Sequence, residues 1–396
     1  MNSILSGIKV LEIGHMLAGP FCTMNLADLG ATVIKIENPS NGDPSRSIDN
    51  SKGESTYFNS LNRGKKSITI NLKKPEGQKL AQKLASNVDI LVENYVPGHL
   101  KNFGLDYQTI KRINPKIIYA SISGFGQTGP YKNFPAFDII IQAMSGLMSI
   151  TGNDEDPPIR TGISLGDSVA GLFSTVAILA ALWKRNFTNQ GTNIDIAMLD
   201  SLLTMLENPI SRFLTTGEIP QKVGARHPSI VPFQMFKTTT DYIVLAITPN
   251  SSKLWADFCM AIGEESIILN KQFNTSDKRN KNYTILKPIM ENAIAKKSAN
   301  YWIKKFHELN IACSKTNTID EITKDKQVLH RNILINLNKN NKSKNMFVNT
   351  PFKIKGYKSG PQAKAPLLGE STEEIITSEL NINKETFSQL KKNKII

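Results

Sequence analysis

The sequence is poor in cysteine, and its three cysteines, Cys22, Cys259 and Cys313, lie far apart along 396 residues. They share no metal-ligand spacing and cannot all be paired, so we expect neither a disulfide framework nor a metal site. Long hydrophobic runs are also missing, because no apolar stretch approaches the ~20 residues of a membrane span. The N-terminus has no basic region followed by an apolar core, so no signal peptide is expected. These absences predict a protein of the reducing cytoplasm with no membrane partner.

A dinucleotide-binding glycine pattern is absent as well. The first predicted turn from strand to helix reads Gly14-His-Met-Leu-Ala-Gly19, whose spacing differs from Gly-x-Gly-x-x-Gly. Glu37, at the end of the second predicted strand, matches a ribose-binding acid in position only. We therefore do not expect NAD as a cofactor.

Acidic residues are scarce in the C-terminal third. Residues 271–396 hold 24 Lys and Arg against 11 Asp and Glu, whereas residues 1–270 hold 24 against 23. The basic residues are diluted with asparagine and lack interleaved aromatic side chains that could stack on bases. We interpret them as a solvated surface and expect no nucleic-acid partner, with a basic nucleic-acid-binding protein as the distant alternative. The positive field would still favour polyanionic small molecules.

Strands and helices alternate through the first two hundred residues. Apolar runs predict strands at 9–14, 31–37, 67–71, 88–93 and 117–122, and helices at about 21–29, from Pro75, and at about 168–183. A strand, a helix and a strand within about thirty residues form a βαβ unit, which implies parallel strands. We therefore predict an α/β fold built on a Rossmann-like open parallel sheet.

The pattern changes near Met205. Residues 233–247 predict two strands joined by a polar turn, and helices are predicted around 252–262, 286–295 and 299–309. The chain is long enough for two domains. We predict a large α/β domain over 1–205, a smaller α+β domain over 225–320, and a C-terminal segment, 325–396, that returns to the large domain because it is too short for a separate core.

Asp167 stands out among the polar residues. It lies in Thr161-Gly-Ile-Ser-Leu-Gly-Asp167, a glycine-bracketed loop followed by a helix that is apolar almost all round and is therefore predicted to be buried. A carboxylate there is either the N-cap of that helix, accepting a free backbone N–H, or a nucleophile. The neighbouring residues leave both interpretations open.

Several motifs, taken in order, resemble the class III CoA-transferase family, the CaiB/BaiF type that includes formyl-CoA transferase and carnitine CoA-transferase. The resemblance covers essentially the whole chain and rests on residues 7–20, 29–37, 42–43, 62–67, 72–77, 92–98, 124–130, 166–167 and 365–370. It implies the fold of that family, an interlocked homodimer, and transfer of CoA between an acyl-CoA and a carboxylic acid. CoA and acyl-CoA are then substrates, and no tightly bound cofactor is implied.

The resemblance also implies that Asp167 is the covalent nucleophile. Its carboxylate would form an aspartyl–acyl anhydride and then an aspartyl-CoA thioester. Asp138 would lie beside the substrate carboxylate, although it can equally be the N-cap of its own helix. The positions matched to CoA or substrate binding are His15, Met16, Leu17, Ala18, Lys73, Asn94, Tyr95 and Asp138. Backbone groups of the loop from Gly124 to Gln127 are candidates for hydrogen bonds to the thioester oxygen, or simply form a turn.

Some positions depart from the family pattern. Leu17 stands where formyl-CoA transferase has a glutamine, and the mobile glycine-rich loop of that enzyme has no counterpart, which weakens the expectation of formyl-CoA and oxalate as substrates. The nearest enzyme alternative is an α-methylacyl-CoA racemase, whose reaction needs two bases. In such racemases a histidine precedes the aspartate that matches Asp138, and here Phe137 takes its place. We therefore predict CoA transfer.

Overall fold

A computed structural model describes residues 3–51, 54–337 and 346–396. Along the chain its strands are β1 (Lys9–Ile13), β2 (Thr32–Glu37), β3 (Asn50–Ser51), β4 (Glu54–Ser55), β5 (Lys66–Thr69), β6 (Ile90–Glu93), β7 (Ile118–Ser123), β8 (Thr192–Ala197), β9 (Phe233–Lys237), β10 (Tyr242–Ala246), β11 (Ala312–Lys315), β12 (Leu334–Asn336) and β13 (Met346–Val348).

The α-helices are α1 (Ala18–Asp28), α2 (Thr56–Asn62), α3 (Pro75–Ala85), α4 (Tyr107–Ile113), α5 (Asp138–Met144), α6 (Leu147–Ile150), α7 (Leu165–Thr188), α8 (Met198–Met205), α9 (Glu207–Thr216), α10 (Ser252–Ile262), α11 (Ser276–Lys281), α12 (Tyr283–Ile294), α13 (Ala299–Glu308), α14 (Ile319–Ile322), α15 (Lys326–His330), α16 (Thr372–Leu380) and α17 (Lys384–Lys392). Short 3₁₀ helices cover Pro44–Ser47, His99–Phe103 and Glu265–Ile267.

The main sheet has six parallel strands in the order β5-β2-β1-β6-β7-β8. The predicted α/β fold with an open parallel sheet is confirmed. Apolar residues of the central strands point alternately to the two faces, where separate core clusters cover them. The strand order reverses between β1 and β6, and in such sheets ligands bind at the carboxyl ends of the strands at this point. The loops after β1 and β6 are therefore where the fold predicts a site.

The chain divides into two compact units. The first consists of Met1–Leu147, Arg160–Glu218 and Gln327–Ile396, and the second of Met148–Ile159 and Ile219–Lys326. The second unit holds a three-stranded antiparallel sheet, β11-β10-β9, with its own apolar core. In the first unit, C-terminal residues bond to the main sheet, as where the backbone N–H of Thr69 donates to the Thr372 hydroxyl at 3.0 Å. The large unit is thus not the continuous stretch 1–205, because residues 148–159 cluster with the second unit.

Helix α7 differs from its prediction in two respects. It begins at Leu165, three residues before the predicted start at 168, and it is not buried all round. One side contacts α1, α8, β7 and β8, whereas the opposite side exposes apolar side chains that are 46–73% accessible, namely Leu172, Val176, Trp183 and Phe187.

The same helix also corrects the expectation that no stretch is long enough for a membrane span. Among the described residues α7 alone is long and apolar enough to cross a membrane, by length and composition only. A single such helix is weak evidence, since core helices of soluble proteins meet the same criterion.

Candidate active site

A cavity of about 410 Å³ lies at the carboxyl ends of β1, β6 and β7. It brings together seven of the residues that the sequence analysis assigned to the site: His15, Met16, Ala18, Asn94, Tyr95, Asp138 and Asp167. Its remaining lining is mostly apolar and includes Val96, Pro97, Ile122, Phe134, Ala136, Phe137, Ile139 and Met198. A carboxylate in this cavity is therefore surrounded mainly by apolar side chains.

Asp167 lies inside the first turn of α7, as the third residue of the helix. The N-cap position belongs to Ser164, so the interpretation of Asp167 as the N-cap is wrong. Its carboxylate instead accepts a hydrogen bond from the backbone N–H of Ala18, the first residue of α1. Two helix N-termini therefore face one carboxylate, and both favour its anionic form.

A close contact between α1 and α7 makes this arrangement possible. Gly171 follows Asp167 by one helical turn, and a Cβ atom there would lie 2.7 Å from the carbonyl oxygen of Ala18. Any larger residue would push the N-terminus of α1 away from α7. Gly171 thus allows the backbone N–H of Ala18 to reach Asp167.

The environment of Asp167 opposes its ionisation. Burial, together with the neighbouring Asp138, raises the pKa of Asp167 to about 7, although the hydrogen bond from Ala18 acts in the other direction. A carboxyl group with such a pKa is half ionised near neutral pH. It also keeps more of its nucleophilicity than a solvated aspartate, because fewer water molecules must leave it before attack.

Asp138 caps α7 rather than its own helix. Helix α5 begins at Asp138 itself, after Phe137 as the N-cap, so the interpretation as N-cap of that helix is wrong. Its Oδ1 accepts the backbone N–H of Gly166 at 2.8 Å, and its Oδ2 accepts Nε2 of Gln142 at 2.7 Å. Asp138 thereby fixes the first turn of α7, and with it the position of Asp167.

The loop after β1 is held in place by Asn94. The side-chain oxygen of Asn94 accepts the N–H of His15 at 2.9 Å, and its amide nitrogen donates to the carbonyl of His15 at 2.9 Å. Met16 adopts a left-handed backbone conformation (φ 62°) and donates its N–H to Asp43 at 3.2 Å. The side chain of Asn94 therefore fixes the conformation of the loop. The ring of Tyr95, the next residue, lies 4.8 Å from that of His15, centroid to centroid.

Four buried charged residues lie under this loop. Glu12 accepts from Nζ of Lys35 at 2.6 Å and of Lys65 at 2.8 Å, and Lys35 also pairs with Asp43 at 2.9 Å. All four side chains are inaccessible to solvent or nearly so. Lys35 further donates to the carbonyl of Gly14 at 2.9 Å, which connects the charges to the loop.

The pKa values of the two lysines are shifted in opposite directions. Burial favours the neutral amine of Lys35, but the carboxylates of Glu12 and Asp43 outweigh it and raise the pKa of Lys35. Burial lowers the pKa of Lys65 to about 8, with the positive charge of Lys35 acting in the same direction and Glu12 opposing it.

A second cavity, of about 320 Å³, lies beside the first on the same edge of the sheet. It is lined by Gly14, His15, Ile36, Glu37, Asn38, Asn41, Gly42, Asp43, Pro44 and Tyr95, so that His15 and Tyr95 belong to both cavities. The two spaces meet at these rings. An elongated ligand can therefore extend from the second cavity into the first.

Two of the assigned residues lie outside both cavities. Leu17 is the N-cap residue of α1 and lines neither space, and Lys73 is exposed in the turn before α3. In the loop after β7 the N–H of Gly126 donates to Ser123 Oγ and that of Gln127 to the carboxylate of Asp195. These two N–H groups are already bonded within the protein, so the turn-forming interpretation fits them better than binding of the thioester oxygen.

Sequence reasoning missed five polar residues of the first cavity, namely Tyr57, Ser123, Lys132, Arg160 and Ser164. Burial and the nearby Asp167 raise the pKa of Tyr57 to about 12, so its phenol stays protonated as a hydrogen-bond donor. No local pattern marks Tyr57 or Lys132, whereas Arg160 is only seven residues before Asp167. Among the described residues no cluster of three or more His, Cys, Asp or Glu could hold a metal ion.

Comparison with known proteins identifies the family. A family model described as CoA-transferase family III matches residues 5–372. The chain belongs to CoA-transferase family III. This family III CoA-transferase is 36% identical over 388 residues to the succinyl-CoA:glutarate CoA-transferase of Mus musculus, with 98% of this chain and 88% of that protein covered.

Other relatives agree. The chain is 37% identical over 354 residues to the acetyl-CoA:oxalate CoA-transferase of Acetobacter aceti, with 89% of each covered. Among solved structures, a CaiB/BaiF family protein from Brucella suis matches with a TM-score of 0.84 and 31% identity, covering 95% of this chain and 99% of that chain. The predicted family is confirmed, and the protein is a CoA-transferase with acyl-CoA and carboxylate substrates.

Proposed function

We propose that this CoA-transferase passes CoA from an acyl-CoA to a carboxylic acid through covalent intermediates on Asp167. The observation that carries the proposal is the placement of the Asp167 carboxylate in a largely apolar cavity at the N-termini of α1 and α7. A carboxylate held against a thioester and partly desolvated can attack it, which a carboxylate in water does poorly.

The reaction balances without any other reagent. Asp167 attacks the thioester carbonyl, the carbon–sulfur bond breaks, and CoA leaves as a thiolate from an aspartyl–acyl anhydride. The thiolate attacks the aspartyl carbonyl and releases the donor acid, which leaves an aspartyl-CoA thioester. The acceptor carboxylate attacks this thioester, the carbon–sulfur bond breaks, and CoA thiolate leaves from a second anhydride. The thiolate then attacks the acceptor's acyl carbon, which yields the new acyl-CoA and free Asp167.

Residues around Asp167 have consistent roles in these steps. Each attack places negative charge on a carbonyl oxygen, and preorganised donors stabilise such charge. The protonated phenol of Tyr57 is a donor in the cavity, and the backbone N–H of Ala18, which already bonds Asp167, can stabilise charge on the oxygen of the aspartyl carbonyl itself. We assign the nucleotide end of CoA to the second cavity, so that the pantetheine arm passes His15 and Tyr95, which line both spaces.

We also propose a dicarboxylic acid as acceptor. The two relatives described above are named for glutarate and oxalate, and both are dicarboxylic acids. Lys132 and Arg160 line the first cavity, and they supply positive charge for a second carboxylate.

The covalent mechanism predicts that Asp167 is chemically trapped. Incubation with succinyl-CoA and hydroxylamine, without an acceptor, should convert Asp167 to a hydroxamate, identified by mass spectrometry of its peptide. At saturating hydroxylamine the labelling rate should rise as the pH increases through about 7, because burial raises the pKa of Asp167 to that value and only the ionised form attacks. Glutarate should compete with the labelling.

Proton exchange without trapping of Asp167 would favour the alternative function, an α-methylacyl-CoA racemase. Asp167 and His15 line the same cavity and together could serve as two bases. Deuterium uptake from solvent at the α-carbon of a 2-methylacyl-CoA, with no hydroxamate on Asp167, would contradict the transferase mechanism.

We further propose that the enzyme is an interlocked homodimer. The exposed apolar side of α7, which includes Trp183 and Phe187, is the kind of surface that another protein surface covers. A second copy of this chain is the partner that the family resemblance implies, and a twofold axis would let α7 meet its own counterpart.

Light scattering tests the assembly. At micromolar concentration the mass should be twice that of the 43.9 kDa chain. Trp183→Glu should increase the monomer fraction, because a charge would replace the most voluminous exposed side chain of α7. Leu269→Glu, at an 88% exposed position outside that surface, is the matched control and should stay dimeric. A wild-type monomer would refute the proposal.

A further inference from the structure

The first cavity combines apolar walls with one well-placed guanidinium. The thioester end of a monocarboxylic acyl-CoA carries no charge, so apolar walls alone suit it. Arg160 nevertheless lines this cavity, at 43% side-chain exposure. A fixed cation there has no partner in the reacting thioester, which raises the question of what it binds.

The backbone next to Arg160 is anchored to Asp138 through Gln142. The N–H of Thr161 donates to Oε1 of Gln142 at 2.9 Å, and Nε2 of the same buried amide donates to Asp138 at 2.7 Å. Gln142 is fully buried and therefore holds a fixed position. The backbone from which the Arg160 side chain extends is therefore held in place at the cavity.

Asp138 contacts both Arg160 and the first turn of α7, which carries Asp167. One oxygen, Oδ1, accepts the N–H of Gly166, which directly precedes Asp167, and the other, Oδ2, lies 3.5 Å from Nη2 of Arg160. The guanidinium and the first turn of α7 therefore contact the same carboxylate, one at each of its oxygens. A short diacid with one carbonyl group at Asp167 would have its second carboxylate on the side of the cavity where Arg160 lies.

The guanidinium also has donors to spare. Arginine carries five N–H donors in a planar fork that matches a carboxylate. The contact with Asp138 exceeds hydrogen-bond length, and no other part of the described chain accepts a hydrogen bond from Arg160. A substrate carboxylate can therefore engage the fork without displacing a bond that the protein already makes.

We propose that Arg160 binds the distal carboxylate of dicarboxylic acyl groups and so determines the preference of the enzyme for diacids. The proposal rests on the transfer reaction at Asp167 argued above, and it names the residue that binds the second carboxylate of the acyl group. Lys132, the other cation of the cavity, carries an ammonium group, which recognises a carboxylate with less directionality than a planar guanidinium does.

The test compares two donors of equal length in the trapping reaction. Succinyl-CoA has the distal carboxylate, and butyryl-CoA has a methyl group in its place. Without an acceptor, hydroxamate formation on Asp167 reports the donor half-reaction alone. In Arg160→Gln the ratio of the succinyl-CoA rate to the butyryl-CoA rate, at subsaturating donor, should fall by about 10- to 100-fold, as expected for loss of a charge-assisted hydrogen bond.

Three further variants sharpen the result. Arg160→Lys should give an intermediate ratio, because it keeps the charge and loses the fork. Lys132→Gln should change the ratio less than Arg160→Gln does. Arg112→Gln, at an exposed site on α4 outside both cavities, should leave the ratio at its wild-type value.

The ratio of the two donor rates tests the role of Arg160, whereas labelling of Asp167 in the wild type tests the covalent mechanism. If Arg160 acted only through Asp138, both donors would slow alike and the ratio would not change, which would overturn the proposal. A larger fall in Lys132→Gln than in Arg160→Gln would overturn it too. If neither donor labels Asp167 in the wild type, the covalent mechanism itself is wrong.

Discussion

Asp167→Asn is expected to lower CoA-transfer activity by on the order of 10³-fold or more, because an amide cannot form the anhydride or the aspartyl-CoA thioester. Asp167→Ala should lose as much. The measurement is the rate of transfer from succinyl-CoA to glutarate, followed by mass spectrometry of the two thioesters.

The chain should remain folded in both variants. Burial and Asp138 disfavour the charge of Asp167 in the native state, so a neutral side chain removes an unfavourable term. The melting temperature at pH 8 should therefore be equal to or above that of the wild type. Asp200→Asn, in the first turn of α8 but exposed and outside both cavities, is the matched control and should keep its activity. Near-wild-type transfer by Asp167→Asn would rule out covalent catalysis at this residue.

Glu12→Gln is expected to lower the free energy of unfolding by about 3–5 kcal/mol. The substitution keeps the shape of the side chain but removes the carboxylate that pairs with both Lys35 and Lys65, and Asp43 is then the remaining direct ion-pair partner, of Lys35 alone, in a site without solvent. Urea denaturation followed by circular dichroism measures the loss.

The loss should become smaller as the pH rises. The pKa of Lys65 is already lowered to about 8 in the native wild type, and loss of Glu12 would lower it further. Unfolded Lys65 then holds a proton that the native chain does not, so stability increases with pH above the native pKa. Glu379→Gln breaks the accessible Lys9–Glu379 pair and should cost less than about 1 kcal/mol. Equal losses in the two variants would show that the buried charges are not coupled as described.

The sequence predicts the sheet well and its strand order not at all. Largely apolar runs identify β1, β2 and β6 within a few residues, because strands buried on both faces of a parallel sheet are nearly continuous apolar stretches. Nothing in those runs says that β1 lies beside β6. That neighbour relation places His15 next to Asn94, and it depends on packing over 79 residues of chain.

Local rules misjudged the two acids. An aspartate near a helix start suggests an N-cap, yet Asp138 caps the first turn of α7 from another helix, and Asp167 receives the N–H of α1. Capping rules consider only neighbours in sequence. The contact between α1 and α7 requires the close approach that Gly171 permits. A glycine within an apolar run of sequence does not indicate which helix will pack against it.

Apolar composition likewise misjudged α7. A helix that is apolar all round is predicted to be buried. That prediction assumes that the residues covering the helix belong to the same chain. Leu172 and Val176 are exposed in the single chain. Apolar composition indicates that such a surface is buried against something, but it does not tell whether the surface packs against the chain's own core or against a second molecule.

The buried charges beneath the β1 loop have a consequence for protein engineering. Replacing a buried ion network by apolar residues of similar volume is often neutral or stabilising, so a redesign for heat resistance would select Glu12, Lys35, Lys65 and Asp43 as a group. The same exchange would remove the donor to the Gly14 carbonyl and the acceptor of the Met16 N–H. Such a variant should survive heating better than the parent while binding CoA worse, so heat tolerance would be a misleading screen for improved enzymes of this kind.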